Sequence, residues 1–215
     1  MYHKSHAANS GLLSYGINTK PDPIEVSPKQ GNPSLTSLVV TVSNNTMDPI
    51  YCNKIVFSFP VGDLAQDLAS TSNGILVSAD PSSKWNFAMT ADGVFTATPK
   101  KPEDNLITTD GISFNIFNIQ ANKQVGVFTF NATETSSNDN IHFGQKSNDF
   151  ELGKFPYGFY VNHFAASAPM VKNGEQVTLT WAGSDLAKYT MFFDTAAVEV
   201  TNVRSWLSEK LRHTT

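Results

Sequence analysis

Apolar and polar positions alternate along much of the chain. Leu38, Val40 and Val42 alternate with Val39 and Thr41, then Ser43-Asn44-Asn45-Thr46 supplies turn chemistry, so this stretch predicts a strand with one buried face. In residues 54–59, Ile55, Phe57 and Phe59 share one face and Lys54 and Ser58 the other, before Pro60 and Gly62 close the run. These two strands should pair antiparallel. Trp85, Phe87 and Met89 alternate next, Asp92-Gly93 provides the φ > 0 positions of a tight turn, and residues 94–98 return as the second arm of a hairpin. Ile112, Phe114 and Ile116 hold one face until Phe117 and Ile119 change phase, which a β-bulge explains. Residues 125–133 complete the series.

Interruptions of this pattern set the expected organisation. Pro21 and Pro23 break an early strand and favour an edge or crossover, because proline cannot donate a ladder hydrogen bond. Asp63 is placed to cap a short helix through Ser70, with Leu64 and Leu68 at i,i+4. Residues 134–149, rich in Ser, Asn and Asp, predict a long mobile loop. A boundary is expected near Phe155-Pro156-Tyr157-Gly158, giving a sandwich domain over residues 1–158 and a second segment over 159–215. That segment should hold four strands in a single sheet, followed by a helix over residues 205–211. Trp206, Leu207 and Leu211 on this helix would form an interface to the first domain or to a second copy in a homodimer.

The run Phe164-Ala165-Ala166-Ser167, then Val171-Lys172-Asn173-Gly174-Glu175-Gln176-Val177-Thr178-Leu179-Thr180-Trp181, resembles the opening strands of bacterial immunoglobulin-like modules. Residues 38–62 are similar, more loosely, to bacterial surface-repeat sandwiches. The resemblance implies a fold without bringing functional residues with it. A full seven-stranded module needs ~100 residues, so the second segment is short for one. The expected fold class is therefore all-β: an antiparallel β-sandwich followed by a short immunoglobulin-like segment, incomplete at this length.

Composition supports strands. Charged residues are 16% of the chain, below the ~25% usual in globular proteins, and Ser, Thr and Asn take their place. The net charge is −4, with no basic field to hold nucleic-acid phosphates. The single cysteine, Cys52, excludes an intramolecular disulfide; it reads as a buried structural thiol. The first ten residues lack the apolar core of a signal peptide, and no apolar run approaches the ~20 residues of a membrane helix. Localisation stays open.

Candidate chemistry is sparse. His3 and His6 stand at i,i+3 without a Cys or carboxylate nearby. Asn138, Asp139, Asn140 and His142 form a polar cluster that could present oxygen ligands or contact a partner, although a calcium loop needs six or more closely spaced ligands. His163, Ser167 and Asp194 lack the nucleophile elbow and Gly-rich turn of a triad enzyme. Trp85 and Trp181 alternate with apolar neighbours and read as core residues rather than sugar-stacking platforms. No catalytic residue, metal site or cofactor is expected. The favoured reading is a non-enzymatic bacterial module that recognises a protein or glycan through sandwich loops, with an enzyme of distributed site, or a spacer from a longer protein, as alternatives.

Overall fold

The computed structural model describes residues 11–185, 187–193 and 196–211. The alternating runs become strands, and the chain forms two compact units that meet between Tyr157 and Gly158.

The first unit contains β1 (Ser14–Lys20), β2 (Ile24–Glu25), β3 (Leu35–Ser43), β4 (Ile50–Ser58), β5 (Leu76–Asp80), β6 (Trp85–Ala91), β7 (Val94–Pro99), β8 (Leu106–Ile107), β9 (Ile112–Gln120), β10 (Gly126–Ser137) and β11 (Gly144–Phe155). One sheet runs β1-β3-β9-β5; the other runs β2-β11-β10-β4-β7-β6, with β8 also on β4. Pairing is antiparallel except where β2 joins β11. The result is an all-β antiparallel sandwich.

Its core lies where the inner faces meet. Leu38, Val40, Val42, Ile55, Phe57, Phe114 and Phe128 are buried, and Phe87 packs against them half-buried. Phe57 of one sheet lies 5.3 Å, ring to ring, from Phe114 of the other, and also contacts Phe87 and Phe130. Trp85 is buried as expected; its ring meets Phe114 at 5.7 Å, and its indole N–H donates to the Asp104 carbonyl at 3.2 Å. Burying each of these large apolar side chains contributes roughly 1.5–3 kcal/mol relative to leaving it exposed.

The expected phase change near Phe117 is a bulge. The β3–β9 register shifts between Thr36 and Leu38, and Asn118 opposite takes a φ of 61° while its side-chain amide donates to the Gly74 carbonyl at 2.7 Å. The β6–β7 hairpin turns at Asp92-Gly93, where Gly93 has a φ of 66°.

Four expectations are corrected. Residues 63–70 form turns rather than a helix: Leu68 is buried while Leu64 is 60% exposed, so the two leucines do not share a helical face. The Asn122 side-chain amide also takes the carbonyls of Gly62, Leu64 and Asp67, which a helix would have used internally. The polar stretch 134–149 is mostly strand, because β10 and β11 pair from Gly126↔Lys154 to Ser136↔Gly144 and leave a connection of residues 138–143. Ladder pairing with β4 and β11 and an inward-facing polar set hold that arm despite its composition.

The third correction concerns the C-terminal helix. The second unit contains β12 (Val161–Ala166), β13 (Thr178–Gly183), β14 (Thr190–Phe193), β15 (Ala196–Glu199) and β16 (Ser205–Leu207), arranged as a β12-β13-β16 sheet and a β14–β15 hairpin. Residues 205–207 extend along β13 instead of coiling, since helix nucleation is costly for so few residues whereas a strand edge offers ready partners. Trp206 is half-buried, its ring 5.4 Å from Phe193 of the hairpin, while Leu207 is exposed and Leu211 follows in irregular chain. The strands therefore form two sheets, with the hairpin covering Trp206, and not the single sheet expected. Among the described residues, Trp181, Val177 and Val200 are the unit's buried apolar side chains.

Candidate functional site

The polar ends of the apolar strands carry most of the first unit's chemistry. On β10, Phe128, Phe130 and Ala132 face the core, and the same alternation carries Glu134 inward to complete burial. Its carboxylate accepts from the Leu12 N–H at 2.8 Å, the Leu13 N–H at 3.4 Å, the Tyr15 hydroxyl at 2.7 Å and the Ser136 hydroxyl at 2.6 Å. Gly11 runs so close that a Cβ there would lie 2.6 Å from Asn148 Nδ2 and 2.9 Å from Glu134 Oε2. Any larger residue there would have to displace one of these two side chains. Asn148 is buried with neither side-chain polar atom hydrogen-bonded. Burial, with the Glu134 charge and its hydrogen bond added, raises the Tyr15 hydroxyl far above the ordinary phenol value. Burial likewise pushes the Cys52 thiol up to about 12, which makes it an unreactive structural group. Sequence reasoning missed Glu134, and the period-2 continuation from Phe128 was the available clue.

A second polar node lies where β9 leads into β10. Buried Asn122 donates from Nδ2 to the carbonyls of Gly62, Leu64 and Asp67 at 3.1, 2.9 and 2.8 Å. Its Oδ1 accepts from Lys154 Nζ at 2.6 Å and from the Gln124 N–H at 3.1 Å. Lys154, 2% exposed, also donates to the Asp67 carbonyl. Burial lowers the Lys154 ammonium to about 8, with the Asp67 charge acting in the opposite sense. Asp67 in turn accepts from the Leu64 N–H at 2.9 Å. The connection between β4 and β5 is thus pinned to the segment 120–124.

Beside this node is a cleft of about 480 Å³, walled by the segments 27–33, 63–71 and 120–124. The Ser27 hydroxyl donates to the Ala121 carbonyl and accepts from the Ser34 N–H, which fixes one wall to the floor. Three connections from different parts of the sequence converge here.

The residues singled out from sequence sit elsewhere. Asn138, Asp139, Asn140 and His142 belong to the exposed connection between β10 and β11. Asp139 accepts from Ser137 Oγ, Ile141 N–H and His142 N–H at 2.7, 2.9 and 2.8 Å and pairs with His142 Nδ1 at 2.7 Å. The His142 ring first, then these other donors, hold the Asp139 carboxyl well below the usual carboxylate range. Asn140, with a φ of 60°, accepts from the Asn105 amide at 2.7 Å. The loop's own donors thus occupy its carboxylate. His163 is exposed and pairs with Asn162 Oδ1 at 2.7 Å, and Ser167 Oγ accepts from the Thr178 N–H. His3, His6 and Asp194 lie outside the described residues. No group of three or more His, Cys, Asp or Glu side chains gathers among the described residues in a way that would hold a metal ion. No helix among them is long and apolar enough to cross a membrane.

Fold and cleft together define an antiparallel β-sandwich with a loop-walled recess. No family model and no curated protein matches the chain. Among solved structures it is similar to BslA, a bacterial hydrophobin, with a TM-score of 0.39 and 14% identity over 67% of this chain and 95% of that one. It is also similar to a family 123 glycoside hydrolase from Clostridium perfringens, with a TM-score of 0.30 and 11% identity over 68% of this chain and 28% of that one. Likeness at this level assigns no activity.

Proposed function

We propose that this chain is a non-enzymatic bacterial binding or structural module that recognises a protein or glycan through the loops of its first sandwich. The observation that carries this reading is the 480 Å³ cleft built from three connections whose floor is fixed by the Asn122 node. A rigid sheet frame that presents loops held in one geometry binds with little ordering cost. The buried charged side chains Glu134 and Lys154 are engaged in holding backbone and neighbouring side chains, which is structural work. In this reading the second unit is an immunoglobulin-like spacer, and its exposed Phe192 and Leu207 fit association with a second copy.

The test is to screen the full chain on a glycan array and against bacterial surface-protein preparations, with chromogenic glycosides and esters assayed in parallel. Saturable binding without turnover is expected. Turnover that disappears on changing a single side chain would replace this reading with an enzyme.

A further inference from the structure

The cleft's lining narrows the ligand. From its chemistry we infer that the recess takes a neutral, polyhydroxylated ligand of the kind an uncharged oligosaccharide presents, an inference that rests on the loop-recognition reading above.

Ser70, Gln120 and Gln124 line the recess, and their side chains make no hydrogen bond among the described residues. Each carries both donor and acceptor capacity. Such groups match sugar hydroxyls, which also donate and accept at one atom. The lining contains one acidic side chain, Asp63, and one basic side chain, Lys123, whose ammonium already donates to the Lys29 carbonyl at 3.3 Å. With one charge of each sign, the recess has no field that would select an anion or a cation. Pro28 and Pro33 contribute rigid C–H surface to the lining.

The floor is already organised. Asn122 spends its amide on three carbonyls and its oxygen on Lys154 and the Gln124 N–H, so the ligand would meet the glutamines above it rather than reorder the loop. A volume of about 480 Å³ falls within the ~300–1,000 Å³ of ordinary ligand clefts. An extended peptide is disfavoured, because strand addition needs a free sheet edge, whereas this lining comes from three connections and the end of β9.

The experiment titrates the isotopically labelled full chain with cellohexaose, xylohexaose, maltohexaose and, as the charged counterpart, hexagalacturonic acid, and follows backbone amide shifts. Saturable shifts confined to residues 27–33, 63–71 and 120–124 with at least one neutral sugar are expected. The double variant Gln120→Ala, Gln124→Ala should bind that sugar at least tenfold more weakly at an unchanged thermal midpoint. If that variant loses stability, Gln124→Glu, of nearly the same volume, should show the same weakening. Shifts with the acidic sugar alone, or with no sugar, overturn the neutral-ligand assignment while leaving protein recognition by the loops standing. Shifts centred on residues 138–143 or on the second unit overturn the cleft as the site. Absence of binding to every glycan and surface protein in the wider screen overturns the loop-recognition reading itself.

Discussion

The Tyr15 hydroxyl donates a 2.7 Å hydrogen bond to Glu134 Oε2 and so joins β1 of one sheet to β10 of the other across 119 residues of sequence. The same carboxylate receives the Leu12 N–H and the Ser136 hydroxyl, so one buried side chain seals a margin of the sandwich. Removing a partner from such a group leaves desolvated donors behind, which costs more than the bond alone contributes.

Glu134→Ala should therefore destabilise the first unit by about 3 kcal/mol, and Tyr15→Phe by about 1.5 kcal/mol. Urea unfolding measures both. Losses under about 0.5 kcal/mol in each would show that the carboxylate is not the keystone described.

Cys52 is buried, and its thiol is held up to about 12. It should stay protonated and resist Ellman's reagent at pH 8 in the native protein, then react fully in denaturant. Rapid native labelling would contradict this placement.

Lys154 gives a pH dependence with a definite sign. Burial lowers its folded value to about 8 from the ordinary 10.5. Between these values the unfolded chain binds more proton than the folded one, so this group's contribution to stability rises with pH from about 8 toward 10.5. Relative to Lys154→Met, which does not titrate, the wild-type chain should gain stability between pH 8 and 10. A flat difference over that window would refute the perturbed ammonium.

Phe57, wholly buried among Phe87, Phe114 and Phe130, tests the core. Phe57→Ala should cost about 3–5 kcal/mol through lost transfer energy and the cavity it leaves. A loss below roughly 1 kcal/mol would mean the inner face has been misassigned.

Period-2 alternation determined the strands around Val40, Phe57, Phe87 and Phe114, because a half-buried strand imposes that pattern through local geometry alone. Asp92-Gly93 and the Phe117 phase change were legible for the same reason: a tight turn and a bulge each leave a local mark. Residues 134–137 and 144–149 were not, since composition marks them as loop and only ladder partners, β4 and β11 for the first stretch and β10 for the second, keep them extended. The Ser205–Leu207 strand likewise depends on an edge that β13 supplies. Glu134 and Lys154 illustrate the limit most clearly. In sequence each is one charged residue among many, but tertiary structure buries both and surrounds them with hydrogen-bonding partners up to 122 residues away. The cleft belongs to this second category. Its walls come from residues 27–33, 63–71 and 120–124, whose convergence follows from strand order and from the Asn122 node, and pairings over such separations leave no periodicity for the sequence to display.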